Sequence, residues 1–154
     1  MKNYLLFLAA CMCMAFTCHP EESDTFHRSV RVTNNVDYPV YVTFEWVEQW
    51  HNPEESLKFP WNPSENKSWN WNSENRVNPD ETNVTAIVTI RGSIEGYMVI
   101  YKHMKVFFID AEKFDAIPMG SPIPDEVLLD SRVYDLEDLR AINFHIHYPL
   151  EPLD

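Results

Sequence analysis

All three cysteines, Cys11, Cys13 and Cys18, lie close to the N-terminus, and no cysteine occurs after Cys18. Whatever folds after Cys18 must therefore hold together by burying apolar surface, without a disulfide framework or a thiolate metal site. The material for a core is present: 45% of the chain is hydrophobic, an ordinary share for a globular protein. The chain from Cys18 to Asp154 is one domain's worth of sequence.

The N-terminal cysteines have a different logic. Tyr4–Phe16 is an uninterrupted apolar run. As a helix it would measure roughly 20 Å, short of a hydrocarbon core of about 30 Å. It fits the apolar region of a signal peptide better than a membrane span. Lys2 is the only charge before Cys18, and all 24 acidic residues follow it. The segment resembles a bacterial lipoprotein signal, in which the modified cysteine becomes the new N-terminus. Leu8-Ala9-Ala10-Cys11 matches the usual cleavage box more closely than Ala15-Phe16-Thr17-Cys18. Cleavage at Cys11, however, would leave an apolar stretch in water, whereas cleavage at Cys18 leaves the polar tether His19-Pro20-Glu21-Glu22-Ser23-Asp24. Cys18 is the expected lipidation site. The alternative is a buried N-terminal helix of a soluble protein. A diacylglyceryl cysteine carries two chains of palmitate type, and two chains hold a protein stably where one does not. Acidic residues directly after the cysteine resemble the surface-export signal of Bacteroidetes lipoproteins, which implies an outer-membrane, cell-surface location. The expected organisation is a signal peptide over 1–17, a lipidated cysteine and tether over 18–25, and a single domain over 26–154.

With Lys2 removed, 11 basic side chains face 24 acidic ones. That balance argues against nucleic acid as a partner and against docking on anionic headgroups by charge. The chain has only three glycines, in no phosphate-binding pattern, and no internal repeat. Its prolines gather mainly at 53–63, 118–124 and 149–152, which marks loops and the tail.

Strand patterns dominate the rest. His27–Thr33 alternates, with Val30 and Val32 on one side. After the turn signal Asn34-Asn35-Val36-Asp37, Tyr38–Trp46 alternates again, so the two runs predict an antiparallel hairpin. Lys67–Trp71, Val84–Arg91, Lys105–Asp110, Glu126–Tyr134 and Asn143–Tyr148 are further strand candidates. Ile94–His103 fits helix or strand. Asp110 is placed to cap a short helix that Pro118 stops, and Asp135 to cap another with acids in its first turn. Six or seven short strands with one or two short helices predict an all-β, antiparallel sandwich of immunoglobulin-like type, with a mixed α+β sheet as the alternative.

The ending Asp135-Leu-Glu-Asp-Leu-Arg-Ala-Ile-Asn143-Phe-His-Ile-His-Tyr148-Pro149 is similar to a recurring ending in small uncharacterised lipoproteins of Bacteroides and its relatives. Val32-Thr33-Asn34-Asn35 with Tyr41-Val42, and Val106-Phe-Phe-Ile-Asp110-Ala111, resemble the same family. Asp135 at the cap, Phe144 in place of a tryptophan, and the two histidines depart from its pattern. The resemblance implies a fold and an address but carries no activity.

Two constellations are candidates for function. All five tryptophans fall within Trp46–Trp71, among Asn, Pro and Glu. Trp61, Trp69 and Trp71 are the expected exposed members, suited to stacking on sugar rings; the alternative is that they pin a long loop. His145 and His147 alternate on a strand and so share a face, where they could hold a metal if a third ligand such as His103 or an acid joined them. The alternative is a solvated strand face. No nucleophile elbow occurs and no cofactor is called for. The expected function is a non-enzymatic binding or accessory module at the membrane, for a glycan or a neighbouring envelope protein. A structural envelope component and a metal-dependent hydrolase using His145 and His147 are the alternatives.

Overall fold

The structure is a computed structural model and describes residues 26–47, 67, 75–83 and 92–152. Within these residues seven strands form two sheets. A three-stranded sheet has the order β4-β1-β7, built from Thr82–Asn83, Arg31–Asn34 and His145–Tyr148. A four-stranded sheet has the order β3-β2-β5-β6, built from Arg76–Val77, Val40–Val47, His103–Asp110 and Leu128–Tyr134. Four of the five pairings are antiparallel, and only β1 with β7 is parallel. The domain is thus β-rich, as its alternating patterns require.

One apolar core draws residues from both sheets. Val32, Ile146 and Tyr148 reach it from the smaller sheet, with Val30 just before β1; Val40, Val42, Met104, Val106, Phe108 and Tyr134 reach it from the larger. Phe108 and Tyr148 stack across it with ring centroids 4.6 Å apart. A second apolar cluster, including Tyr41, Ile109, Phe114 and Val127, covers the opposite face of the larger sheet. Both faces of β5 are therefore buried, which is why its sequence is nearly continuous in apolar residues rather than alternating.

The opening hairpin is not formed. β1 pairs with β4 and β7, while β2 pairs with β3 and β5, so the two runs lie in different sheets. The physical reason is Asn34. Its side chain turns inward, fully buried, and donates from Nδ2 to the carbonyls of Tyr38 at 2.8 Å and Val77 at 3.1 Å. Its Oδ1 accepts from the Val36 amide. The backbone of Asn34 belongs to the smaller sheet and its side chain ties into the larger. The chain is thereby carried across the core instead of folding back beside itself.

Among the described residues three short α-helices flank the sheets: α1 over Ile94–Tyr101, α2 over Ala111–Ala116 and α3 over Leu136–Ala141. α2 and α3 begin where expected. Asp110 accepts from the Lys113 amide, and Asp135 forms a reciprocal capping box with Asp138. The segment that fitted helix or strand is the helix α1, capped by Ser93. The strand candidate Val84–Arg91 and all of Lys67–Trp71 except Lys67 lie outside the described residues. No helix among the described residues is long and apolar enough to cross a membrane.

Candidate binding surface

Period-two alternation builds the first candidate. On β7, Ile146 and Tyr148 point into the core, so His145 and His147 stand on the outer face. On β1, Val32 points inward and leaves Arg31 and Thr33 outside. β1 lies between β4 and β7, which brings Thr82, Thr33 and His145 into one row. The Thr33 hydroxyl is 2.6 Å from that of Thr82 and 2.7 Å from His145 Nε2. His147 stands beside His145 with ring centroids 4.3 Å apart, and its Nδ1 is 3.5 Å from Asn35 Nδ2.

The electrostatics of the row are simple. Burial pushes the His145 pKa below its ordinary value, and the charges of His147 and Arg31 push it the same way. His145 is therefore a neutral imidazole at pH 7, able to donate from one nitrogen and accept at the other. Beyond β7 a shallow cleft opens, lined also by Arg132, Tyr134 and Glu151. The Arg132 guanidinium donates to the Glu151 carbonyl and so holds the C-terminal tail along it. Neutral imidazole and hydroxyl groups beside a cleft suit an uncharged, hydroxyl-rich ligand.

Among the described residues a third ligand for the two histidines is not found. Among the described residues no group of three or more His, Cys, Asp or Glu side chains is placed to hold a metal ion. His103 lies at the start of β5, in the other sheet. Two imidazoles alone do not make a hydrolytic zinc centre, which needs three protein ligands and an activated water.

Of the tryptophans, Trp46 is described, and Trp61, Trp69 and Trp71 lie outside the described residues. Trp46 ends the inward-facing row of β2 and is half-buried. Tyr97 and Tyr101, one helical turn apart on α1, stack on it at 5.3 and 5.9 Å. The helical spacing of Tyr97 and Tyr101 was visible in the sequence. Their meeting with Trp46 was not, because it depends on where α1 docks.

Sequence reasoning also missed how the chain joins the fold. His27 Nδ1 is 2.7 Å from Glu95 Oε1, the His27 amide donates to Glu95 Oε2 at 3.1 Å, and the ring stacks 3.7 Å from Phe144. The His27 carbonyl accepts from the Ile94 amide. Burial acts to raise the Glu95 pKa, but the hydrogen bonds from the His27 ring and from backbone amides outweigh it, and the net pKa falls below 4.5. Glu95 thus binds fewer protons in the folded chain than in the unfolded one. Its contribution is complete above about pH 4.5 and disappears as pH falls through the lowered value. Glu95→Gln is expected to cost about 2 kcal/mol at pH 7, the range for a charge-assisted hydrogen bond, and the gap should close below pH 4.5. Denaturant melts of both chains across that range check it. A gap that stays constant with pH would show that the carboxylate charge is not what holds His27.

Comparison of the chain with family models, curated proteins and solved structures finds no match.

Proposed function

We propose that this chain is an outer-membrane lipoprotein, anchored through Cys18, that presents a non-enzymatic glycan-binding domain outside the cell. The sequence supports the anchor: an apolar run too short to span, a cysteine at its end, and none beyond it. The single observation that carries the binding reading is the row Thr82–Thr33–His145–His147. It offers hydroxyl and imidazole donors and acceptors, His145 as a neutral ring, on an otherwise strongly acidic chain, beside a cleft whose wall includes Arg132 and Tyr134. Sugars present just such chemistry: vicinal hydroxyls that both donate and accept, with no charge to compensate. An immunoglobulin-like sandwich is a suitable carrier, since one sheet face can stay solvated while the other is packed.

The test is a glycan array probed with the lipid-free domain and repeated with His147→Ala and Thr33→Val. The expected result is binding to a defined glycan class that both substitutions weaken about tenfold or more, as loss of one or two hydrogen bonds per site requires. Binding that survives both substitutions would move the site elsewhere. No binding to any glycan would leave an envelope component that works through protein contacts.

A further inference from the structure

The exposed side of α1 is apolar. Val99 and Ile100 are 69% and 66% exposed, and with Met119 they are the exposed large hydrophobic residues among the described ones. The other sides of the helix are already occupied. Ile94 and Met98 are buried in the core, and Tyr97 and Tyr101 lie over Trp46. A helix that is apolar on its outer face as well as its inner one is not built to face water alone.

The position of that face is informative. Glu95, which grips His27, lies one turn before Val99 on the same side of α1. Val99 therefore follows by one helical turn the residue whose carboxylate fixes the start of the fold. Only residues 19–25 separate His27's neighbour Phe26 from Cys18, and a stretch of that length spans at most about 25 Å. Gly96, exposed, stands one turn before Ile100, and a Cβ there would meet only the Ser93 hydroxyl within 4 Å, at 3.5 Å.

We infer that the Val99–Ile100 face of α1 seats on the lipid bilayer, so that the anchored domain rests on the membrane by this helix. The inference rests on the anchored reading. Two aliphatic side chains could not recruit a free protein to a membrane. Once an acyl anchor has brought it there, their insertion is an intramolecular step at high effective concentration. Tyr97 borders the face beside Ile100, and the exposed Lys102 follows at its end; these are residue types that settle at the level of the headgroups. Met119 gives an internal contrast. α1 precedes the start of β5, whereas the loop carrying Met119 follows α2 beyond the other end of that strand.

The experiment uses the full chain, exported and processed in a bacterium, with Val99→Cys, Ile100→Cys or Met119→Cys. Each purified protein is first weighed intact to establish acylation of Cys18. It is then labelled with a thiol-reactive fluorophore and reconstituted in vesicles of phosphatidylethanolamine and phosphatidylglycerol. The expected result is that labels at 99 and 100 lose several-fold in quenching by a water-soluble quencher and gain it from a lipid-soluble one. The label at 119 should behave oppositely, at every protein-to-lipid ratio. Acylated protein whose labels at 99 and 100 are as water-accessible as that at 119 overturns the seating and leaves the anchor standing. Labels shielded from both quenchers, or shielded more as protein density rises, show a protein contact and overturn it as well. A Cys18 without acyl chains removes the anchored reading and the seating together.

Discussion

Asn34→Ala is expected to lower the unfolding free energy by about 3 to 4 kcal/mol. The asparagine is fully buried, and its amide serves the carbonyls of Tyr38 and Val77 and the amide of Val36. Alanine leaves all three backbone groups without that partner, at about 1–3 kcal/mol for each that stays buried. Relaxation and water recover part of the cost, which is why the expected sum is below the maximum. The neighbouring Asn35→Ala should fall within about 0.5 kcal/mol of the parent, since Asn35 is exposed and its side-chain contact with His147 is long. Urea denaturation of the two variants separates them. Equal stability for Asn34→Ala and Asn35→Ala would mean that the crossing between sheets does not depend on the buried amide.

The second large effect is at Lys67. This lysine is 4% exposed, and its Nζ donates to the carbonyls of Phe114 at 2.7 Å and Ile117 at 3.0 Å, with Asp115 at 3.4 Å. These are carbonyls at the C-terminal end of α2; that of Phe114 also accepts from the Ile117 amide at 3.2 Å, so the ammonium supplements the helix's own last bond. The ammonium also complements the negative end of the helix dipole and lies 4.6 Å from the centre of the Phe114 ring. Lys67→Met keeps the stem and removes the charge. It is expected to cost about 3 kcal/mol, a fall in Tm of about 10 °C for a domain of this size. Lys67→Arg, which keeps a cation but not its compact shape, should recover part of the loss. A thermal melt of the two variants checks this, and an unchanged Tm for Lys67→Met would show that water can replace the ammonium at the helix end.

These two residues mark where sequence reasoning stopped. Local signals were legible because their partners are close in the chain. Asp110 and Asp135 announced α2 and α3 three residues ahead of the amides they cap, and Pro118 marked where α2 must end. β5 and β7 followed from apolar pattern alone. The first crossing did not. Two alternating strands joined by a polar turn have the same pattern whether they lie side by side in one sheet or face each other across a core. The choice was made by Val77, remote in sequence, accepting from Asn34. The parallel pairing of β1 with β7 joins opposite ends of the chain and leaves no local trace.

The candidate surfaces divide in the same way. That His145 and His147 share a face was written in their spacing, but that Thr33 and Thr82 would join them depended on strand order. Lys67 looked like an ordinary strand residue in a polar loop, since nothing local shows that its ammonium ends on a helix far along the chain. Nothing local shows that Glu95 meets His27 either, since the docking of α1 brings them together.

The most direct test of the anchored reading is the intact mass and N-terminal sequence of the protein isolated from bacterial membranes, alongside Cys18→Ala and Cys11→Ala. The account predicts a chain that begins at Cys18 and carries a diacylglyceryl group, unaffected by Cys11→Ala and abolished by Cys18→Ala. A chain that begins at Met1, or at Cys11, or that carries no lipid, would contradict it.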